Sequence, residues 1–223
     1  MTMPEIVSRE EWLATRREFL VREKEFTRAR DALNAERRAL PMVRVEQDYV
    51  FERPGERASL LDLFDGRRQL IVHHVMWLGD RGEACPSCTY HMNELPALDH
   101  LHRNDTTLVL VSRGPVEQIE AYRRRMGWPF PWYSSLGSDF NYDYHVTLDE
   151  RVTPMLINYR TREEYEAAVG PQADLGSELP GVSVFLRDGD AVFHTYSAYA
   201  RGIETLMFSL NYLDLTPLGR NPV

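Results

Sequence analysis

Two runs of the sequence, LIVHHVMW (70–77) and TTLVLVS (106–112), are apolar and β-prone almost throughout. Unbroken runs of this kind mark strands covered on both faces, whereas a half-exposed strand alternates apolar and polar residues. Between them lie a loop, 79–84, and a helical stretch opened by CPSC (85–88). After the second run comes PVEQIEAYRRRMG (115–127), with proline in its first turn and glycine past its end, as a helix prefers. Strand, helix, strand, helix in this order joins parallel neighbours through a right-handed crossover, so the expected architecture is an α/β sheet.

The remaining segments hang on that unit. Residues 8–40 read as one amphipathic helix: Ser8 and Glu11 fit a capping box, and Trp12, Phe19, Phe26, Leu33 and Leu40 recur every seven residues before Pro41 ends the run. The stripe is narrow, with Leu13 and Leu20 beside it, and suits an arm on the globular body or a contact building a homo-oligomer. MVRVEQDYVFE (42–52) alternates like a strand and turns at Arg53-Pro54-Gly55, and Ser59 is placed to cap a short helical turn. A short strand is expected near Trp132, a helix at 161–169 followed by an exposed loop to 179, a hairpin over 182–197 turning at Asp188-Gly189, and a closing helix at 202–215. The expected division is a helical arm, 1–41, and one main domain, 42–223.

Charge and hydropathy remove several function classes. A net charge of −8 leaves little room for the clustered basic face that nucleic acid requires, and Arg37-Arg38 and Arg123-Arg124-Arg125 read as solvated helix faces. No apolar run approaches the length of a membrane helix, and the opening MTMPEIVSREEW lacks the regions of a signal peptide, so a cytoplasmic location is expected.

In a reducing cytosol the two cysteines, Cys85 and Cys88, point to chemistry or metal rather than to a structural staple. A cysteine heading a helix meets unpaired N–H groups and the positive end of the helix dipole, which favour its thiolate. The residue three positions on shares its face, near enough to attack a mixed disulfide. Cys85 is therefore the attacking thiol and Cys88 the resolving one, with Pro86 stiffening the first turn and Ser87 between them. The substrate would be a disulfide-containing protein or small molecule, an external thiol would reset the pair, and no cofactor is needed.

Other readings compete with that one. Cys85, Cys88 and His91 share a helix face, and with His194 or His145 they would offer a Zn or Cu site. A peroxiredoxin-like thiol peroxidase is the nearest enzymatic rival, although Gly82, Glu83 and Ala84 hold no threonine or serine just before Cys85. His73 and His74 are adjacent on a strand, so they face opposite ways and belong to the core or a sheet face. His100 and His102 sit near a helix end, where positive charge is favourable. The aromatics Trp128, Trp132, Tyr133, Phe140, Tyr142 and Tyr144 are better explained by packing of a long loop than by a substrate groove, and Asp139, Asp143, Asp149 and Glu150 by solvated loop charge.

As a whole the chain resembles the bacterial thioredoxin-like proteins grouped as domain of unknown function 899, described as predicted dithiol-disulfide oxidoreductases. The resemblance is carried by REEWLATRREFLVREKEFTRARDALNAERRALP (9–41), DYVFE (48–52), LFDGRRQLIVHH (63–74), CPSC (85–88), MGWPFPWYSSLGSDFNYD (126–143) and GVSVFLRDGDAVFHTYSAYARG (181–202). It implies a thioredoxin-like mixed sheet flanked by helices, an N-terminal helical extension, and the family's paired cysteines at Cys85 and Cys88. Against thioredoxin itself, Trp77 is separated from Cys85 by GDRGEA, which would leave a larger opening, and Pro180 stands where a cis-proline facing the dithiol is expected.

Overall fold

In the computed structural model, which describes residues 3–170 and 176–220, the chain divides into two units, residues 42–209 and residues 1–41 with 210–223. In the second unit, α1 (Arg9–Arg38) is a single 30-residue helix. Its capping box is present as read: Ser8 Oγ accepts from the Glu11 N–H, and Glu11 reaches back to the Ser8 N–H at 2.9 Å. Trp12, Phe19, Phe26 and Leu33 are all at least half exposed.

The larger unit is a mixed sheet. Residues 42–52, expected as one strand, form β1 (Val43–Arg44) and β2 (Val50–Arg53), and the Pro54-Gly55 turn leads into β3 (Glu56–Ser59). Ser59 and Asp62 then exchange hydrogen bonds around a single 3-10 turn, Asp62–Phe64. The first buried run gives β4 (Gln69–His74) and a separate two-residue strand, β5 (Trp77–Leu78), which pairs antiparallel with β6 (Glu83–Ala84). Then come α2 (Pro86–Met92), α3 (Leu98–Arg103), β7 (Thr106–Ser112), α4 (Val116–Met126) and β8 (Trp132–Ser134). Gly127 ends α4 with φ +68°, a left-handed conformation that only glycine adopts freely.

A short α5 (Phe140–Asp143) follows, with the small ribbon of β9 (Leu156–Ile157) and β10 (Arg160–Thr161) and α6 (Arg162–Val169), which starts in a Thr161–Glu164 capping box. The loop expected after α6 lies partly outside the described residues. The hairpin is β11 (Gly181–Asp188) and β12 (Ala191–Tyr199). The closing segment is no continuous helix: a 3-10 stretch, Ala200–Leu206, gives way at an extended Met207 to α7 (Phe208–Leu213). Among the described residues no helix is long and apolar enough to cross a membrane.

The strands lie in the order β1-β12-β11-β4-β7-β8-β2-β3. At the centre β4 and β7 are parallel and β11 is antiparallel to both β4 and β12. Taken alone, these four strands sit fourth-third-first-second in chain order with the third reversed, and a helix links the first to the second. That is the thioredoxin-like arrangement. All seven residues of β7 are buried, as its unbroken apolar sequence requires.

Alternation along β4 and β7 feeds two cores. One gathers Leu70, Val72, Val109, Val111 and Phe185; the other gathers Val75, Leu108, Leu110, Cys88 and Met92 around α2 and α4. Phe140 plugs the first. It is fully buried, with ring centroids 4.8 Å from Phe51, 5.0 Å from Tyr49 and 4.6 Å from Tyr144. Phe140→Ala removes that plug and should cost about 3–5 kcal/mol, read as a lowered denaturant midpoint; a shift within error of zero would mean that the crossover does not depend on this ring.

Candidate active site

Cys85 is the residue before the first turn of α2, with extended backbone (φ −54°, ψ 138°), and Pro86 opens the helix at a position where no N–H is needed. The Cys85 sulfur lies 3.2 Å from Ser87 Oγ, and the Cys88 thiol and the N–H groups at the head of α2 favour its negative charge. The Met76 carbonyl accepts the Cys85 N–H at 3.0 Å, and the Met76 backbone N–H favours charge on the Cys88 sulfur. Both cysteines are in the free form; Cys85 is half-buried and Cys88 is 3% exposed.

The two thiols are driven apart electrostatically. Donation from Cys88, helped by Ser87 and the backbone N–H groups and opposed by burial, brings the Cys85 thiol down to about 5. Its role as donor to Cys85, together with burial, pushes the Cys88 thiol far up. Cys85 is thus a thiolate at neutral pH, where an ordinary cysteine is ionised to only a few per cent.

Trp77 does not leave an open approach. GDRGEA folds back as the β5–β6 ribbon, which pairs Trp77 with Ala84 and sets the tryptophan across from the residue before Cys85. The indole stands edge-on to Tyr122 and Trp132, each 5.9 Å away, and lies flat against Gly114, where a Cβ would come within 2.7 Å of the ring. On the outer side of α2, Thr89 hydrogen-bonds Tyr122 at 2.8 Å, and Trp128 Nε1 donates to Asn93 at 2.9 Å. Trp128, Trp132, Tyr133, Phe140 and Tyr144 are all buried, as packing residues are. Pro180 is half-buried and immediately precedes β11, and no cis peptide bond occurs among the described residues.

The four-ligand metal set is not brought together. His91 is buried against His73, ring centroids 4.6 Å apart, on the α2 side of the sheet. His194 lies on the other face, packed on Tyr144 and Phe185. There its Nε2 meets Ser197 Oγ, which meets Ser183 Oγ, which meets His74 Nε2, each link 2.8 Å. That chain of hydrogen bonds runs across β12, β11 and β4. His145 is no nearer to convergence: among the described residues no three His, Cys, Asp or Glu side chains are placed to hold one ion.

One polar cluster escaped the sequence reading. Glu178, just before β11, accepts from Thr147 Oγ1 at 2.7 Å and from Asn141, whose own Oδ1 accepts from Ser135 at 2.8 Å. Arg113, directly after β7, lies over Tyr142 at 4.6 Å and donates to its hydroxyl at 2.8 Å, and its charge reaches Glu178. Arg113 neighbours Gly114, on which Trp77 rests, so the cluster borders the dithiol end of the sheet. Its residues are spread from 113 to 178, and no local motif announces them.

Two predictions follow from these electrostatics. Alkylation of Cys85 by iodoacetamide should rise through a midpoint near pH 5 and be level by neutrality. Cys88→Ala removes the main stabilising donor and should move that midpoint toward the ordinary thiol value of about 8.5; an unmoved midpoint would deny Cys88 that role. Burial raises the Glu178 carboxyl from 4.5 to about 7. The folded state therefore holds this proton where the unfolded state has lost it, and stability should fall as pH rises from about 4.5 to 7. Glu178→Gln should abolish the fall, a difference of about 1–3 kcal/mol between the proteins at pH 8 relative to pH 5, measured by denaturant titration; parallel profiles would place Glu178 in water.

Comparison with known proteins finds one family and several solved structures similar to this chain. The profile of a family described as "Bacterial protein of unknown function (DUF899)" matches residues 1–223. No curated protein matches the sequence. Among solved structures, the Xanthomonas campestris bacterioferritin comigratory protein, studied for alkyl peroxide reduction, is similar at 11% identity over 73% of this chain and 88% of its own, with TM-score 0.46. Peroxidoxin BcpB from Mycobacterium tuberculosis is similar at 12% identity over 78% and 97%, with TM-score 0.49. Likeness at this level concerns chain path, and the fold assignment rests on the strand order above.

Proposed function

This chain belongs to the bacterial family DUF899, and we propose its function from the dithiol: a thiol-disulfide oxidoreductase in which Cys85 attacks and Cys88 resolves. One observation carries the reading. A half-buried sulfur heads α2 with Ser87 Oγ at 3.2 Å and its thiol pushed down, while the second sulfur lies buried one turn along with its thiol pushed up.

The chemistry runs in two exchanges. The Cys85 thiolate attacks a disulfide RS–SR′, forming Cys85–S–S–R and releasing R′S⁻. Cys88 then loses its proton and attacks the Cys85 sulfur, which closes the intramolecular disulfide and releases RS⁻. An external thiol reductant returns the pair to the dithiol, and no other cofactor is required. The substrate class is a disulfide in a protein or small molecule, and the setting a reducing cytosol. A Zn or Cu site built on the same cysteines is less well supported, since His194 faces away across the sheet and His91 is turned to His73.

Cys85→Ser should lower reduction of insulin or a small aromatic disulfide to the rate without protein, whereas Cys88→Ser should stop after one exchange and accumulate a mixed disulfide visible by mass spectrometry. Undiminished turnover by Cys85→Ser would end the proposal. Metal analysis of protein purified without chelator addresses the rival reading, which predicts stoichiometric Zn or Cu.

A further inference from the structure

The two exchanges leave a proton without a destination. Cys88 is buried and bonded to Cys85, and when Cys85 is tied up in a mixed disulfide that partner no longer carries charge. Burial alone still opposes ionisation of the Cys88 thiol. Water reaches it poorly at 3% exposure. The resolving thiol needs a base inside the protein.

His91 is placed for that task. It follows Cys88 by three positions on the same face of α2, and side chains of a helix lean back over the turn before them. It is 3% exposed and meets His73 edge to face. His73 leaves β4 on the same side as Val75, which packs in one cluster with Cys88. The Nε2 atoms of both histidines are buried with no hydrogen-bond partner among the described residues. An unpaired buried nitrogen is costly, and here there are two, so packing alone does not account for imidazole at both positions. Burial also keeps both rings neutral, which leaves a lone pair free to accept.

The charged and titratable groups facing His91 are few. On its own helix and just beyond it stand Cys88 and Glu94, and across from it on β4 stands His73, with His74 behind on the other face. Glu94 accepts from the Ser209 N–H at 3.1 Å and from the Ser209 hydroxyl, and its negative charge favours a proton on His91.

We propose that His91, set in place by His73, is the proton acceptor for Cys88 in the resolving exchange. The inference rests on the dithiol reading above. In the step, the Cys88 S–H bond breaks and its proton goes to a ring nitrogen of His91; the freed electron pair on sulfur forms the Cys85–Cys88 bond; and the Cys85–S–R bond breaks with RS⁻ departing. Cys88 is oxidised into the disulfide, Cys85 stays at the disulfide level it reached in the first exchange, and RS is reduced to the thiolate. When an external thiol reopens the disulfide, imidazolium returns the proton to Cys88.

Stopped-flow reaction of the full-length reduced protein with dithiobis(nitrobenzoate) separates the steps, because attack by Cys85 and closure by Cys88 each release one coloured thiolate. In the wild type the second phase should stay level from about pH 7 to 9. In His91→Gln it should slow at least tenfold at pH 7 and climb about tenfold per pH unit, the signature of a thiol ionising unaided. His73→Phe, which leaves the base but removes its support, should slow the second phase by a smaller factor without that slope. A wild-type second phase that itself climbs about tenfold per unit, or one unchanged in His91→Gln, overturns the proposal. The wild-type profile decides the matter even if a variant fails to fold. Release of no thiolate, or of only one, by the wild type would instead refute the dithiol reading.

Discussion

The proton held between two sulfurs is the interaction from which the chemistry of this site derives. The nearness of the Cys88 thiol lowers the Cys85 thiol and raises its own, so a single interaction favours charge on the outer sulfur and opposes it on the inner one. The two groups titrate as a pair, so neither can be altered without moving the other. The arrangement depends on Met76, which ties down the Cys85 backbone with its carbonyl and steadies the Cys88 sulfur with its N–H. Met76 is in turn fixed by the sheet, because Val75 beside it continues the β4 ladder through a hydrogen bond to Val111. A local electrostatic asymmetry is thereby anchored in the most buried part of the fold.

The sheet divides labour between its faces. Adjacent residues on a strand point opposite ways, so His73 and His74 enter different cores although no residue separates them. His73 faces α2 and meets His91. His74 faces Phe140 and Tyr144 and begins the hydrogen-bonded chain through Ser183 and Ser197 to His194. On that second face the Nε2 atoms of His74 and His194 are both paired, and the histidines tie three strands together. On the first face the Nε2 atoms of His73 and His91 have no hydrogen-bond partner among the described residues. The same residue type acquires two roles from the direction in which the pleat sends it.

Much of this was legible because the signals are local. The capping box at Ser8, the glycine ending α4 and the seven-residue buried run of β7 each follow from a handful of neighbouring residues. The Cys85 and Cys88 spacing likewise fixed which thiol heads the helix and which lies a turn along. What escaped were features made by tertiary contact. The β5–β6 ribbon has two residues per strand, too short for any periodicity, and only packing of Trp77 on Gly114 shows why the chain doubles back. Glu178 and Arg113 belong to loops far apart in sequence, and their pairing needs the sheet to be assembled first. The closing segment carries helical periodicity, yet its geometry changes at an extended Met207.

The shared proton also bears on what else the two cysteines can bind. A divalent metal requires both sulfurs as thiolates, with the remaining ligands converging from the same side. Here ionising Cys88 would withdraw the main donor that sustains the Cys85 thiolate and place two like charges against each other in a half-buried site, a cost that only a full ligand shell offsets. The imidazoles that would complete the shell are engaged elsewhere: His91 in the edge-to-face contact with His73, and His194 in its hydrogen bond to Ser197 on the far face. Releasing His91 would open a cavity in the core around α2, and bringing His194 across would require breaking β12 out of the sheet. The fold therefore favours moving a single proton between sulfur and nitrogen over removing two protons for an ion, and that preference is set by the direction of four side chains rather than by the composition of the motif.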